Sequence, residues 1–191
     1  MVDGELIAAL TPVTVALDDL GVAYYVTGSV LSSHLGHARS TVDADLVADL
    51  RPEHAARLVA ALEASFYIDI GAVDEAIRRR GMFNAVHLET MLKVDVYATS
   101  TAFDRETLSR ARPGTFADGA RAFSLATAED LVVHKLIWFR AGGGVSERQW
   151  RDVVGVLRVQ VGRLDLVHMR AWAQKLGVDE LLDRALAEAA L

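Results

Sequence analysis

Apolar residues recur along the chain with two different periods, and the switches between them mark out the elements. Leu6, Leu10, Val13, Leu17 and Leu20 fall at spacings of four and three, which predicts an amphipathic helix stopped by Gly21 and either divided or capped at Thr11-Pro12. Ala23 to Thr27 is a short β-prone run that breaks at Gly28-Ser29, after which Val30 to Leu35 resumes in a helical register. Val42-Asp43-Ala44-Asp45-Leu46-Val47 alternates apolar and acidic residues with period two and reads as a second strand. Pro52 stands at the expected start of a helix reaching to around Ala64.

Further strands are expected at Phe66 to Ile70, Met82 to Leu88 and Met91 to Tyr97, the last two joined as a hairpin across Glu89-Thr90. Thr101 to Phe123 is punctuated by Arg105, Arg110, Arg112 and Arg121 and broken by Pro113-Gly114 and Asp118-Gly119, so it reads as a connector. Thr127 with Asp130 opens a helix to Arg140 that Gly142-Gly143-Gly144 ends, and Ser146 with Gln149 opens another to around Gln160. Two amphipathic helices follow, one with Leu166, Met169, Ala173 and Leu176 on a face, the other carrying Leu181, Leu182, Ala185 and Leu186. The expected fold class is α/β: a mixed β-sheet flanked by helices over residues 1–123, with a C-terminal helical part over 124–191 packing on it.

Composition narrows the chemistry. With 52% hydrophobic and 24% charged residues among 191, the chain has enough apolar material for a core. It contains no cysteine, which excludes disulfides, thiolate zinc sites, iron–sulfur clusters and cysteine nucleophiles. A nucleophile must be oxygen, nitrogen or water, and a metal must sit on carboxylate or His. A formal charge of −6 argues against non-specific binding to DNA, since that affinity comes from cations neutralising phosphates. No apolar stretch nears the roughly 20 residues that span a bilayer, and no Lys or Arg precedes Arg39, whereas a secretory signal carries a basic region there. The expected location is the cytoplasm, with no membrane partner.

Strand periodicity points Asp43 and Asp45 to one face and their apolar neighbours to the other. Two like charges side by side call for a cation, and their side chains suit a hard divalent ion such as Mg²⁺, which takes oxygen ligands. Lys93-Val94-Asp95-Val96-Tyr97 repeats the alternation, so three carboxylates converge if that strand lies beside the first. An isolated D-x-D most often lines the wet face of an edge strand. Here, Val26-Thr27-Gly28-Ser29 lies upstream and ends an apolar strand in a glycine that permits close approach, followed by a Ser at a helix mouth where free N–H groups favour phosphate.

These residues resemble the DNA polymerase beta-like nucleotidyltransferase superfamily, whose small members share an hG[GS] turn, a Dh[DE]h strand and a third acid on a separate strand. The resemblance covers about residues 22 to 160 and is nearest the minimal bacterial members, the antibiotic-modifying and abortive-infection-toxin branches. Arg39-Ser40-Thr41-Val42-Asp43-Ala44-Asp45 and Glu129-Asp130-Leu131-Val132-Val133-His134-Lys135 correspond to further motifs of those branches. Thr27 stands where a glycine or apolar residue is common, and the interval from Ser29 to Asp43 is at the long end of the pattern.

The resemblance implies a nucleotidyltransferase-like sheet and a magnesium-dependent transfer of a nucleoside monophosphate from a nucleoside triphosphate such as ATP to an acceptor hydroxyl, releasing pyrophosphate. Asp43 and Asp45 would bridge two Mg²⁺ ions, with Mn²⁺ as a substitute, and Asp95 would hold the ion beside the acceptor and take its proton. Gly28 and Ser29 would cradle the phosphates, and Lys135 would reach the triphosphate. The acceptor is a small molecule, a tRNA or a protein. Two alternatives stand beside this: a toxin with the same chemistry, paired with an antitoxin, and a non-catalytic nucleotide-binding module.

Other residues have plainer readings. Lys135 on a helix surface would snorkel, and Arg148 with Asp152 at i and i+4 would form an ordinary helix ion pair. His34 and His37 lack a third ligand for zinc. Arg78-Arg79-Arg80 reads as a solvated helix end before a basic lip for an anionic acceptor. Trp138, Trp150 and Trp172 are expected in the core.

Overall fold

The structure, a computed structural model, describes residues 4–117 and 121–190. Helix α1 (Gly4–Asp19) runs unbroken through Pro12 and buries Leu6, Leu10, Val13 and Leu17. A mid-helix proline forfeits one backbone hydrogen bond; here the Thr11 hydroxyl donates to the Ile7 carbonyl at 2.7 Å, and the buried stripe holds the helix together across the position where the sequence suggests a break.

The chain then lays down β1 (Tyr24–Thr27), α2 (Gly28–Leu35), β2 (Asp43–Ala48), a single 3₁₀ turn at Pro52–His54 and α3 (Ala55–Leu62). The strand expected at Phe66 to Ile70 shrinks to β3 (Phe66–Tyr67), because the Asp69 carboxylate accepts a hydrogen bond from the Ala72 N–H and caps α4 (Ile70–Arg79). β4 (Met82–His87) and β5 (Lys93–Ala98) form the expected antiparallel pair. Their loop is wider than Glu89-Thr90 alone, and Met91 takes a positive φ of 57° in it.

The supposed connector after Thr101 is structured. Thr101 and Asp104 cap each other reciprocally at the start of α5 (Ala102–Arg110), and β6 (Arg112–Gly114) pairs with β7 (Phe123–Leu125). Only Phe103, Asp104 and Thr107 of α5 are buried, so its apolar signal is too sparse to read. The Asp118-Gly119 turn lies outside the described residues.

Among the described residues, one seven-stranded mixed sheet results, in the order β3-β4-β5-β2-β1-β7-β6. β2 lies centrally, antiparallel to β1 and parallel to β5. β7 runs parallel to β1 and leads into α6 (Ala128–Ala141), capped by Thr127 as its sequence predicts. α7 (Glu147–Val159), capped by Ser146, α8 (Leu166–Leu176) and α9 (Asp179–Ala189) complete the chain. α7 also packs on α2. Their closest approach needs two glycines: a Cβ on Gly36 would lie 2.9 Å from the Val156 nitrogen, and one on Gly155 3.0 Å from His37. This contact brings α7 and its Asp152 up to the loop between α2 and β2.

Candidate active site

β2 presents Asp43 and Asp45 on one face while Ala44 and Leu46 are fully buried on the other, as the alternation requires. At the end of β1 the backbone turns through Gly28, with φ at +67°, directly into α2. Only glycine serves there: the conformation disfavours a side chain, and a Cβ would fall 1.9 Å from Asp45 Oδ2. The Ser29 N–H, at the N-terminus of α2, points to that oxygen at 3.4 Å. Thr41 Oγ1 donates to Asp43 Oδ1 at 2.8 Å.

Asp95 faces Asp45 directly across the parallel β2–β5 pair. Its Oδ2 is bound by Lys93 Nζ at 2.9 Å, and its Oδ1 is buried without a hydrogen-bond partner. Burial first, then Asp43, then Asp95 push the Asp45 carboxyl up to about 6, against the pull of the Ser29 N–H and Lys135. The Tyr97 hydroxyl is likewise pushed up to about 12, by burial and then by the three carboxylates.

Gly28, Ser29, Asp43, Asp45 and Lys135 line one cavity of about 510 Å³, together with Tyr97, Trp138 and Arg148. Asp95 lies on the adjoining strand and does not line it. Lys135 does not snorkel. It is 3% exposed, because α6 is covered from Asp130 to Leu136, and its Nζ donates to Asp152 Oδ2 at 2.9 Å. Arg39 reaches the same carboxylate with two parallel bonds, Nε to Oδ1 at 2.8 Å and Nη2 to Oδ2 at 2.7 Å, and its Nη2 also donates to Ser29 Oγ at 2.9 Å. The i, i+4 pair expected between Arg148 and Asp152 is therefore absent: Asp152 faces inward to Arg39 and Lys135, and Arg148 is left free of it.

Desolvation lowers the Lys135 ammonium, opposed by Asp152. Asp152 ends below the usual carboxylate range: its burial would raise it, but the bonds from Arg39 and Lys135 prevail.

The remaining candidates separate cleanly. Arg78 and Arg79 pair with Asp74 and Glu75 one turn back, and Arg80, whose backbone N–H caps α4, donates its side-chain Nη1 to the Leu50 and Thr99 carbonyls. His34 packs edge-on against Phe116. Trp150 is buried and Trp172 packs on Phe103, but Trp138 departs from the core reading by lining the cavity, stacked on Tyr97 at 6.1 Å. Arg39's partner escapes sequence reasoning, since 113 positions separate it from Asp152; the Arg39-Ser40-Thr41 motif was the one available signal.

Among the described residues no three His, Asp or Glu side chains are grouped so as to hold a metal ion. Lys93 Nζ already sits on Asp95 Oδ2. The donor set nonetheless suits a hard cation: two unpaired-charge carboxylates on one face, a buried carboxylate oxygen lacking a partner, and an elevated Asp45 that a divalent ion would bring down.

Strand–turn–helix packed onto a central acidic strand, with a parallel third-acid strand beside it, defines the fold of the nucleotidyltransferases, as the sequence motifs suggest. Among solved structures, the chain is similar to an antigenic nucleotidyltransferase-like protein from Paracoccidioides brasiliensis at a TM-score of 0.56, with 15% identity over 97% of this chain and 94% of that one. It is similar to ANT(2'')-Ia in complex with adenylyl-2''-tobramycin at 0.55, with 15% identity over 88% and 97% of the two chains. The lincomycin-bound lincosamide antibiotic adenylyltransferase LnuA matches at 0.50, with 12% identity over 83% and 98%. The likeness is one of fold. No protein-family model and no curated protein matches the sequence. Among the described residues, no helix is long and apolar enough to cross a membrane.

Proposed function

We propose that this chain is an enzyme, a nucleotidyltransferase that moves a nucleoside monophosphate from a nucleoside triphosphate to an acceptor hydroxyl. In this reading the acceptor oxygen bonds the α-phosphorus, the bond from that phosphorus to the β-phosphate oxygen breaks, and pyrophosphate leaves. The acceptor's proton would pass to the Asp95 carboxylate once Lys93 releases it and it turns toward the cavity from the strand beside Asp45. The Ser29 N–H and hydroxyl, with Gly28 giving backbone access, receive the β- and γ-phosphates. Lys135 and Arg39, braced by Asp152, set positive charge at the leaving pyrophosphate. Tyr97 and Trp138 offer aromatic faces to the base. Residues 1–123 supply the acids and 124–191 the lysine and its brace.

Asp43 and Asp45 would hold Mg²⁺, joined by Asp95 once Lys93 yields. Bound there, the two ions would neutralise the charge gathering on the α-phosphate during in-line displacement.

The observation that carries the reading is the contact of Gly28 with Asp45. It sets the head of α2 directly against the acidic strand, at the edge of the cavity of about 510 Å³. The test is incubation with α-labelled nucleoside triphosphates and Mg²⁺, following pyrophosphate release and label transfer to small molecules, tRNA or protein. Turnover that Asp43→Asn and Asp45→Asn each reduce by about a hundredfold or more supports the reading. Metal-dependent nucleotide binding without any transfer would leave a binding module instead.

A further inference from the structure

A second cavity, of about 530 Å³, adjoins the first and shares Arg39, Arg148 and Asp152 with it. It lies between the loop after α2 and the outer side of α7. Its charged lining is four guanidiniums, of Arg39, Arg148, Arg151 and Arg158, against two carboxylates, Asp152 and Glu188. Both acids are engaged: Asp152 by Arg39 and Lys135, and Glu188 Oε2 by the Trp150 indole N–H at 2.7 Å. Arg39 is tied to Asp152, and the other three arginines are less engaged. Arg158 donates to the Glu188 carbonyl at 2.8 Å, Arg151 holds only a loose exposed pair with Glu147 at 3.4 Å, and Arg148 makes no hydrogen bond or ion pair with any described residue.

A chain of net charge −6 thus concentrates cations in one concavity beside its proposed catalytic centre. The volume suits one small ligand.

We propose that this arginine-lined cavity is the acceptor subsite and takes a small hydroxyl compound carrying a phosphate group. The assignment rests on the nucleotidyl-transfer reading for what happens next, but not for the binding itself. Guanidiniums recognise phosphate through paired N–H donors. With the phosphate held by Arg151 and Arg158, and Arg148 at the shared wall, the hydroxyl end of the molecule faces the Asp43–Asp45 cavity. The same lining repels polycationic acceptors, so an amino sugar of the tobramycin kind is disfavoured here.

The test is calorimetric titration with ribose 5-phosphate and with inorganic phosphate, alongside ribose and tobramycin as controls, with and without a saturating non-hydrolysable ATP analogue and Mg²⁺. Ribose 5-phosphate is expected to bind with the nucleotide site filled, whereas ribose and tobramycin do not. Arg151→Gln and Arg158→Gln, neither of which lines the Asp43–Asp45 cavity, should each weaken it about five- to tenfold and leave nucleotide affinity unchanged. Arg151 is exposed, so its variant guards against a loss of folding at Arg158. No binding of ribose 5-phosphate, binding indifferent to both variants, displacement by the ATP analogue, or binding of a short RNA in its place would overturn the assignment. Binding of ribose 5-phosphate without any nucleotide binding would instead overturn the transferase reading and leave the anion site standing.

Discussion

Lys93 Nζ binds Asp95 Oδ2 at 2.9 Å while the other oxygen of that carboxylate is buried without a partner. The two residues stand two apart on β5 and so share its face. The bond to Asp95 raises the Lys93 ammonium above its ordinary range. Lys93 thereby fills, in the protein alone, the electrostatic role that a divalent cation would take.

Removing that competitor should strengthen metal binding. Lys93 is 42% exposed, so its pairing is screened and contributes about 0.5 to 1 kcal/mol. Lys93→Gln is therefore expected to tighten Mg²⁺ binding about two- to fivefold in calorimetry. Weaker Mg²⁺ binding in the variant would mean that Lys93 supports the acids and does not compete for them.

Asp45 makes stability depend on pH in an unusual direction. Its carboxyl titrates at about 6 in the folded protein against an ordinary 3.8. Between those values the folded chain keeps a proton that the unfolded chain releases, so stability falls as pH rises from about 4 to 6 and stays reduced above. Asp45→Asn should remove this slope and stabilise the protein at pH 8 by roughly 1 to 3 kcal/mol in urea unfolding, while abolishing turnover. Turnover of the native protein at limiting Mg²⁺ should rise as pH passes upward through 6, because the ion must displace that proton. An unchanged pH–stability profile in the variant would place the proton elsewhere.

Gly28→Ala tests the contact that joins the turn to the acids. The substitution forces a side chain into a left-handed conformation, a cost of about 1 to 2 kcal/mol, and drives a methyl into Asp45 Oδ2. The expected result is a lowered melting temperature together with a loss of nucleotide affinity and at least about a hundredfold of turnover. Gly143→Ala, also at positive φ but with open space around it, should lose stability alone and separates the two effects.

The legible parts of this site are those written in local periodicity. The D-x-D alternation, the Gly28-Ser29 break and the caps at Thr127 and Ser146 each depend on neighbours within four positions. What escaped depends on distance. Spacing offered Arg148 as the partner of Asp152, but α7 turns Asp152 inward because Gly36 and Gly155 let it close on α2. Lys135 reads as free to snorkel because a helix pattern does not reveal that α2, α7 and α8 all pack on α6. α5 carried almost no apolar signal and owes its start to the Thr101 and Asp104 cap.

Asp152 is the brace between the two halves of the site, and its removal should be costly in a way that pH exposes. Asp152→Ala leaves the Lys135 ammonium, 3% exposed, without its hydrogen-bonded carboxylate, and breaking such a buried pair costs about 3 to 5 kcal/mol. Burial already lowers Lys135 from its ordinary 10.5, and losing Asp152 removes the main opposing influence. The folded variant then binds fewer protons than the unfolded chain, so its stability should rise as pH climbs toward 10.5 and the deficit should shrink. Adding Lys135→Met to Asp152→Ala removes the stranded charge, so the double variant should recover much of the loss at pH 7 and lose the pH slope. A double variant no more stable than Asp152→Ala would show that the Arg39 bonds, and not Lys135, carry the energy of this network.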